Sequence, residues 1–101
     1  MAAKGYWLAR ININDKGLYD EYRKRNAVPF AKFGGRFLVR GGPSENVFGK
    51  TYQHNVVIEF DSYEQALACY RSPEYQDAAQ YLKKGCDVEL AIVDGYGGPQ
   101  P

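Results

Sequence analysis

Apolar and polar residues alternate from Tyr6 to Ile13. Trp7, Ala9, Ile11 and Ile13 share one face, and Tyr6, Leu8, Arg10 and Asn12 the other. A period of two predicts a β-strand. Asn14-Asp15-Lys16-Gly17 interrupts it, with Asp15 placed to cap a following helix. Leu18, Tyr19, Tyr22, Asn26, Phe30 and Phe33 then recur at helical spacing, while Asp20/Lys24 and Glu21/Arg25 form acid-before-base pairs on the outer side. This helix ends at Gly34-Gly35, and Pro29 inside it predicts a kink or break near residues 25–29.

Alternation returns at Arg36–Arg40, which sets Phe37 and Val39 opposite Arg36, Leu38 and Arg40 before Gly41-Gly42-Pro43 stops the strand. Residues 43–53 read as a polar loop with some extended structure near Asn46–Phe48. In a third strand, His54–Phe60, Val56, Ile58 and Phe60 oppose Asn55, Val57 and Glu59. A second helix begins at Asp61-Ser62, where Ser62 with Gln65, or Asp61 with Glu64, fits a capping box. Its apolar stripe is Tyr63, Ala66, Leu67 and Tyr70. Ser72-Pro73 restarts the helical count, and Tyr75, Ala78, Ala79 and Leu82 carry it to Gly85. A fourth strand spans about Asp87 to Val93. Gly95–Pro101 is a Gly/Pro tail without a packing pattern, expected to be flexible.

The order β-α-β-β-α(α)-β folds, with right-handed crossovers, into an α+β ferredoxin-like antiparallel sheet of spatial order 4-1-3-2. A chain of 101 residues forms one domain, because a second core would not fit. The helices must cover the face made by Trp7, Ala9 and Ile11, Phe37 and Val39, Val56, Ile58 and Phe60, and Val88, Leu90 and Ile92. The other face carries Leu8, Leu38, Val57, Ala91 and Val93 among Tyr6, Arg10, Asn12, Arg36, Arg40, Asn55, Glu59 and Glu89. Such a face is too apolar to stand bare in water and too charged for a dry core. A second sheet would bury the apolar members and pair the charges, and a symmetric homodimer supplies one. Space between two such sheets can hold a small ligand.

Composition narrows the partners. Hydrophobic residues make up 45% and charged residues 25%, ordinary for a globular domain. A net charge of +1 argues against a protein that lives on a phosphate backbone. An RNA-binding sheet would also need stacking aromatics where Asn55, Val57 and Glu59 stand. No phosphate-loop pattern, leader-like segment or stretch long enough to span a bilayer is visible, so neither nucleic acid nor membrane is an expected partner. Cys69 and Cys86 are too few for a disulfide scaffold, and a cytoplasmic protein with reduced thiols is expected. One histidine and two separated cysteines give no ligand spacing; no metal or cofactor is called for. Nine tyrosines among fifteen aromatics suit half-buried packing or polar-tipped pockets.

Gly5-Tyr6-Trp7, the run Gly34-Gly35-Arg36-Phe37-Leu38-Val39-Arg40-Gly41-Gly42, the segment from Val57 to Ala66 and Tyr70-Arg71-Ser72-Pro73-Glu74-Tyr75-Gln76 together resemble the small bacterial proteins grouped as domain of unknown function 1330. The resemblance covers nearly the whole chain; Asp61 stands where that family is expected to carry proline. It implies membership of the dimeric α+β barrel superfamily, with a ferredoxin-like protomer that dimerises through its open sheet face. That superfamily includes cofactor-free monooxygenases, haem-degrading enzymes, muconolactone isomerases and polyketide cyclases, and the fold alone does not choose among them.

Arg40 and Glu59 are the candidate catalytic pair, expected side by side on the open face, with Arg40 holding a carboxylate or enolate and Glu59 moving a proton. The plainer reading is an ion pair that holds the dimer. Arg36 can enlarge the positive site or sit at its rim, and Tyr6 can donate its hydroxyl to a bound oxygen. Tyr70, Ser72 and Tyr75 meet at the junction of the C-terminal helix segments, where Ser72 also fits a plain helix cap. His54 is a conceivable base at a strand start, or simply exposed. Two functions follow: a ligand site between paired sheets for a carbonyl compound or aromatic acid, with cofactor-free isomerase, cyclase or monooxygenase chemistry, or a non-catalytic dimeric binding or accessory module.

Overall fold

The computed structural model describes residues 3–101. Met1 and Ala2, at the start of the segment read for a leader, lie outside the described residues. Strand β1 (Gly5–Ile13) leads through helix α1 (Lys16–Lys32) to strands β2 (Arg36–Arg40) and β3 (His54–Phe60). Helices α2 (Tyr63–Arg71) and α3 (Pro73–Gly85) then precede strand β4 (Cys86–Asp94). The four strands form one antiparallel sheet ordered β2-β3-β1-β4, the expected order read from its other edge.

Local chemistry sets the boundaries. Asp15 caps α1 by accepting from the Leu18 amide at 3.1 Å. Ser62 caps α2 through the Gln65 amide at 3.0 Å, but the Gln65 side chain reaches Phe33 O instead of closing a reciprocal box. Of the kink or break expected near residues 25–29, the break does not occur: α1 runs without interruption from Lys16 to Lys32. Pro29 is fully buried, and its carbonyl receives the Phe33 amide and faces the Cys69 thiol. Packing and a retained acceptor offset the missing donor. Of the two outer-face pairs, Glu21 meets Arg25 at 2.6 Å, whereas Asp20 turns to Lys16.

The helices lie on one face of the sheet, and the core sits between. Trp7 is its centre, with Phe30, Phe60, Tyr70 and Tyr75 around it at ring-centroid distances of 4.8–5.9 Å. Its indole nitrogen donates to Ala66 O at 2.9 Å, so the one polar atom of the ring is satisfied.

Strand β2 departs from simple alternation. Arg36 pairs with Glu59 and Phe37 with Ile58, but Val39 pairs with Val57 and Arg40 with Val56. Leu38 is the extra residue of a β-bulge. Beyond it, side chains exchange faces relative to a regular ladder. Val39, expected in the core, joins Leu38 on the open face, where they are 41% and 55% exposed. Arg40, expected on the open face, turns to the helix side.

The loop after β2 forms no strand near Asn46–Phe48. It is fastened instead to the end of β1. Arg10 donates to Asn46 Oδ1, Lys50 O and Asn55 Oδ1, and stacks over the Tyr52 ring. Asn12 exchanges hydrogen bonds with Thr51 O and the Gln53 amide. At the C-terminus the Gly95 amide reaches Lys4 O at 2.7 Å, and no strand or helix follows.

Candidate functional site

The candidate residues fall into two places, one on each face of the sheet. On the open face, Glu59 is the centre. Arg36 donates to its Oε1 through Nε (3.2 Å) and Nη2 (3.0 Å), and the Tyr6 hydroxyl donates to Oε2 at 3.0 Å. Arg36 also reaches Asp61, which Lys4 approaches at 3.5 Å. The register explains the cluster, since Glu59 stands directly opposite both Tyr6 and Arg36. The Arg36 guanidinium first, and then the Tyr6 hydroxyl, hold the Glu59 carboxyl below the ordinary carboxylate value; the same bond raises the Tyr6 hydroxyl.

The expected Arg40–Glu59 pair is therefore corrected: Arg36 is the partner of Glu59, because the register sets those two opposite each other at the start of β2, and the bulge beyond them carries Arg40 through to the other side. A carboxylate already bound by a guanidinium fork and a phenol is a poor proton carrier and a good structural anchor.

On the helix side the sheet and α1 enclose a cavity of about 210 Å³. Its walls are apolar, with Trp7, Phe30, Phe37, Val56, Ile58 and Leu90 among them. Deep inside, the Tyr22 and Tyr75 hydroxyls lie 2.9 Å apart, both side chains buried, with Asn26 beside them. Burial pushes the Tyr22 hydroxyl up to about 12, opposed by the Tyr75 hydroxyl and the Asn26 amide beside it, and raises Tyr75 as well, helped by the neighbouring Tyr22. Both stay neutral hydroxyls at physiological pH.

The mouth is framed by Arg23, Arg40, His54 and the Gly41-Gly42 turn. Both glycines hold positive φ, 68° and 82°, which turns the chain sharply after β2. A Cβ on Gly41 would come within 3.1 Å of His54 Nδ1, so the turn packs directly on that imidazole. Arg40 is laid on the Phe37 ring at 4.0 Å, and His54 stacks on Tyr19.

Of the residues singled out from the sequence, Arg40, His54 and Tyr75 line this cavity; Tyr6, Arg36 and Glu59 lie on the opposite face. Tyr70 packs against Trp7 and Tyr75 from behind. The Ser72 hydroxyl caps α3, accepting from the Tyr75 amide at 3.1 Å and donating to Cys69 O at 2.7 Å. The Cys69 thiol is raised to about 12 by burial, an inert group. Tyr22 and Asn26, which the helical spacing marks only as apolar-stripe positions, also line the cavity, as does Arg23, which no sequence pattern singles out. A clue was present in Asn26, an amide standing in the apolar stripe of α1 and 6% exposed.

A four-stranded antiparallel sheet of order β2-β3-β1-β4 with its helices on one face defines a ferredoxin-like α+β protein. The chain matches the family described as a domain of unknown function (DUF1330) over residues 4–96, and belongs to it. No curated protein matches the sequence. Solved structures share the fold. A protein of unknown function from Rhodopseudomonas palustris has a TM-score of 0.76 at 15% identity, covering 97% of this chain and 86% of that one. SnoaB from Streptomyces nogalater, a cofactor-independent oxygenase, has 0.62 at 14% identity, covering 99% and 97%. A dimeric ferredoxin-like protein of unknown function from Bacteroides fragilis has 0.60 at 14% identity, covering 90% and 95%.

Proposed function

We propose that this protein is a homodimer that binds a small organic ligand, a carbonyl compound or aromatic acid, in the cavity on the helix side of each sheet. The observation that carries the reading is the cavity itself: an apolar enclosure with a few convergent polar groups, the usual make-up of a ligand site. The site expected between two paired sheets moves to the inside of the protomer. Arg40 keeps its role as anion holder and Tyr75 its place in the wall. Tyr22, Tyr75 and His54 are groups that bind or move a proton on a carbonyl or phenol. Cofactor-free isomerisation, cyclisation or oxygenation suit such a set. The oxygenase named among the structural neighbours supports only the compatibility of the fold.

Dimerisation is read from the open face, where Leu8, Leu38 and Val39 are each more than 40% exposed beside the Glu59 cluster; the neighbours described as dimeric support it. Both cysteines are free and buried, which suits a reducing compartment such as the cytoplasm. Among the described residues no helix is long and apolar enough to cross a membrane. The non-catalytic module remains the second reading, favoured by the placement of Glu59 on the face away from the cavity.

Chemical-shift mapping with benzoate tests the site. Perturbations at Tyr19, Phe37 and Val56 are expected. Perturbations at Leu8, Val57 and Glu59 instead would return the ligand to the paired sheets, and none at all would favour the module.

A further inference from the structure

The charges around the cavity are distributed unevenly. No Asp or Glu lines it, yet two arginines stand at its mouth. Several cations elsewhere are matched, Arg25 with Glu21 and Asp77, Lys32 with Glu74, Arg36 with Glu59 and Asp61, and those without an ion pair or hydrogen-bond acceptor among the described residues, Lys24, Lys50, Arg71, Lys83 and Lys84, stand away from the cavity lining. Arg23 and Arg40 have neither an ion pair nor a hydrogen-bond acceptor among the described residues. Arg40 is steadied by the Phe37 face instead, which leaves its donors pointing at nothing in the protein. Both guanidiniums lie near enough to Tyr19 to pull its hydroxyl down against the larger upward effect of burial. An anion at the mouth would meet two positive groups at once.

The floor has a different chemistry. Of the two hydroxyl protons on Tyr22 and Tyr75, one is used in their mutual bond. The second is free to go to Asn26 or to an incoming oxygen. Neutral phenols and an amide make this end a donor to a carbonyl, phenol or phenolate oxygen, and they offer no counter-charge to a carboxylate. Between the ends the walls are apolar and partly aromatic, with Trp7, Phe30, Phe37, Val56 and Ile58 among them.

Volume fixes the size. A cavity of about 150 Å³ takes benzene in a protein core. The 210 Å³ present leaves room for one ring with a substituent at each end, and falls short of the ~300 Å³ where drug-sized pockets begin.

We infer that the ligand is a one-ring aromatic acid bearing a second oxygen on the far side of its ring, with the carboxylate held by Arg40 and Arg23 and the far oxygen by the Tyr22–Tyr75 pair. This rests on the proposed ligand-binding reading and deepens it by giving the site two unlike ends. Tyr22 and Tyr75 are then specificity-determining contacts, and Arg23 shares the anion with Arg40.

Trp7 is the sole tryptophan and lines the cavity, so its fluorescence reports occupancy. The probes are 4-hydroxybenzoate, benzoate and phenol, titrated against the wild type, Tyr22→Phe and Arg40→Gln. In the wild type, 4-hydroxybenzoate is expected to bind about tenfold more tightly than either one-ended probe, the worth of one well-made hydrogen bond or ion pair. Tyr22→Phe should erase its advantage over benzoate and leave that over phenol. Arg40→Gln should do the reverse. Equal binding of all three probes, or an advantage untouched by both substitutions, overturns the two-ended site while leaving a ligand cavity in place. Tyr75→Phe, read in the same way, guards against a local rearrangement in a single variant. No response of Trp7 to any probe at millimolar concentration, with the protein folded, would remove the cavity reading beneath it.

Discussion

At the scale of single residues, the two faces of the sheet differ in what their polar groups are for. Ser72 ends one helix and starts the next with a single hydroxyl, buried and hydrogen-bonded on both sides. Ser72→Ala leaves the Tyr75 amide and the Cys69 carbonyl without that partner. It should destabilise the fold by about 1–2 kcal/mol in urea unfolding, the usual loss of a buried cap. It should also leave probe binding intact, since the hydroxyl does not line the cavity. Glu59 supplies a pH signature. Its folded pKa lies below the ordinary 4.5, because of Arg36 and then Tyr6. Its contribution is therefore complete above 4.5 and is lost as the pH falls through the lower folded value. A carboxyl-detected titration should place its midpoint below 4.5, and Arg36→Gln should move that midpoint upward. A midpoint at or above 4.5 in the wild type would mean that the fork is not formed in solution.

The elements themselves were largely readable, because period two and period 3.6 are imposed by burial on one side and survive in the order of residues. Strands β1, β3 and β4 alternate without interruption, and their faces came out as expected. Strand β2 did not, for a reason alternation cannot carry. Phe37-Leu38-Val39 has three apolar residues in a row, and nothing in that run says which of them is extra. One unmarked residue was enough to move Arg40 to the other face, whereas the partner of Glu59 follows from register alone: Arg36 meets it before the bulge, and an uninterrupted ladder would set Arg40 opposite Asn55. Pro29 misled for a similar reason: its local penalty is visible in the sequence, whereas the burial that offsets it arises only when α1 meets Cys69. The bulge makes a sharp prediction. Deleting Leu38 removes the unpaired residue while Phe37, Val39 and Arg40 keep their partners on β3. The shortened protein should fold, and 4-hydroxybenzoate affinity should stay within a few-fold of wild type. Collapse of binding in a folded deletion variant would show that β2 is a regular ladder and that Arg40 does not face the cavity.

For the whole molecule, what matters is what closes the uncovered face. Four strands about 4.8 Å apart and roughly 25 Å long project an area on the order of 500 Å². A standard interface needs about 800 Å² from each partner. The sheet alone falls short, but the loop fastened to Arg10 stands at one end of the same face and carries Val47 and Phe48, 83% and 93% exposed. A Phe side chain alone can bury about 150–250 Å², which brings the sum into range. The side chain of Asn46 holds that tip in shape by donating to Gly49 O at 2.9 Å, so Phe48 is presented by a built turn. Two substitutions then separate the contributions. Val57→Lys places an unpaired charge at the middle of the sheet face, in line with Leu8 and Val39, and should yield monomers in sedimentation at micromolar concentration. Phe48→Ser alters a side chain that touches little of its own protomer. It should leave the unfolding midpoint of the monomer unchanged and weaken the dimer about tenfold or more, as loss of a buried aromatic anchor does. Wild-type protein that sediments as a monomer would mean that the mixed apolar and ionic face has another use, and the helix-side cavity, complete within one protomer, would have to be judged without it.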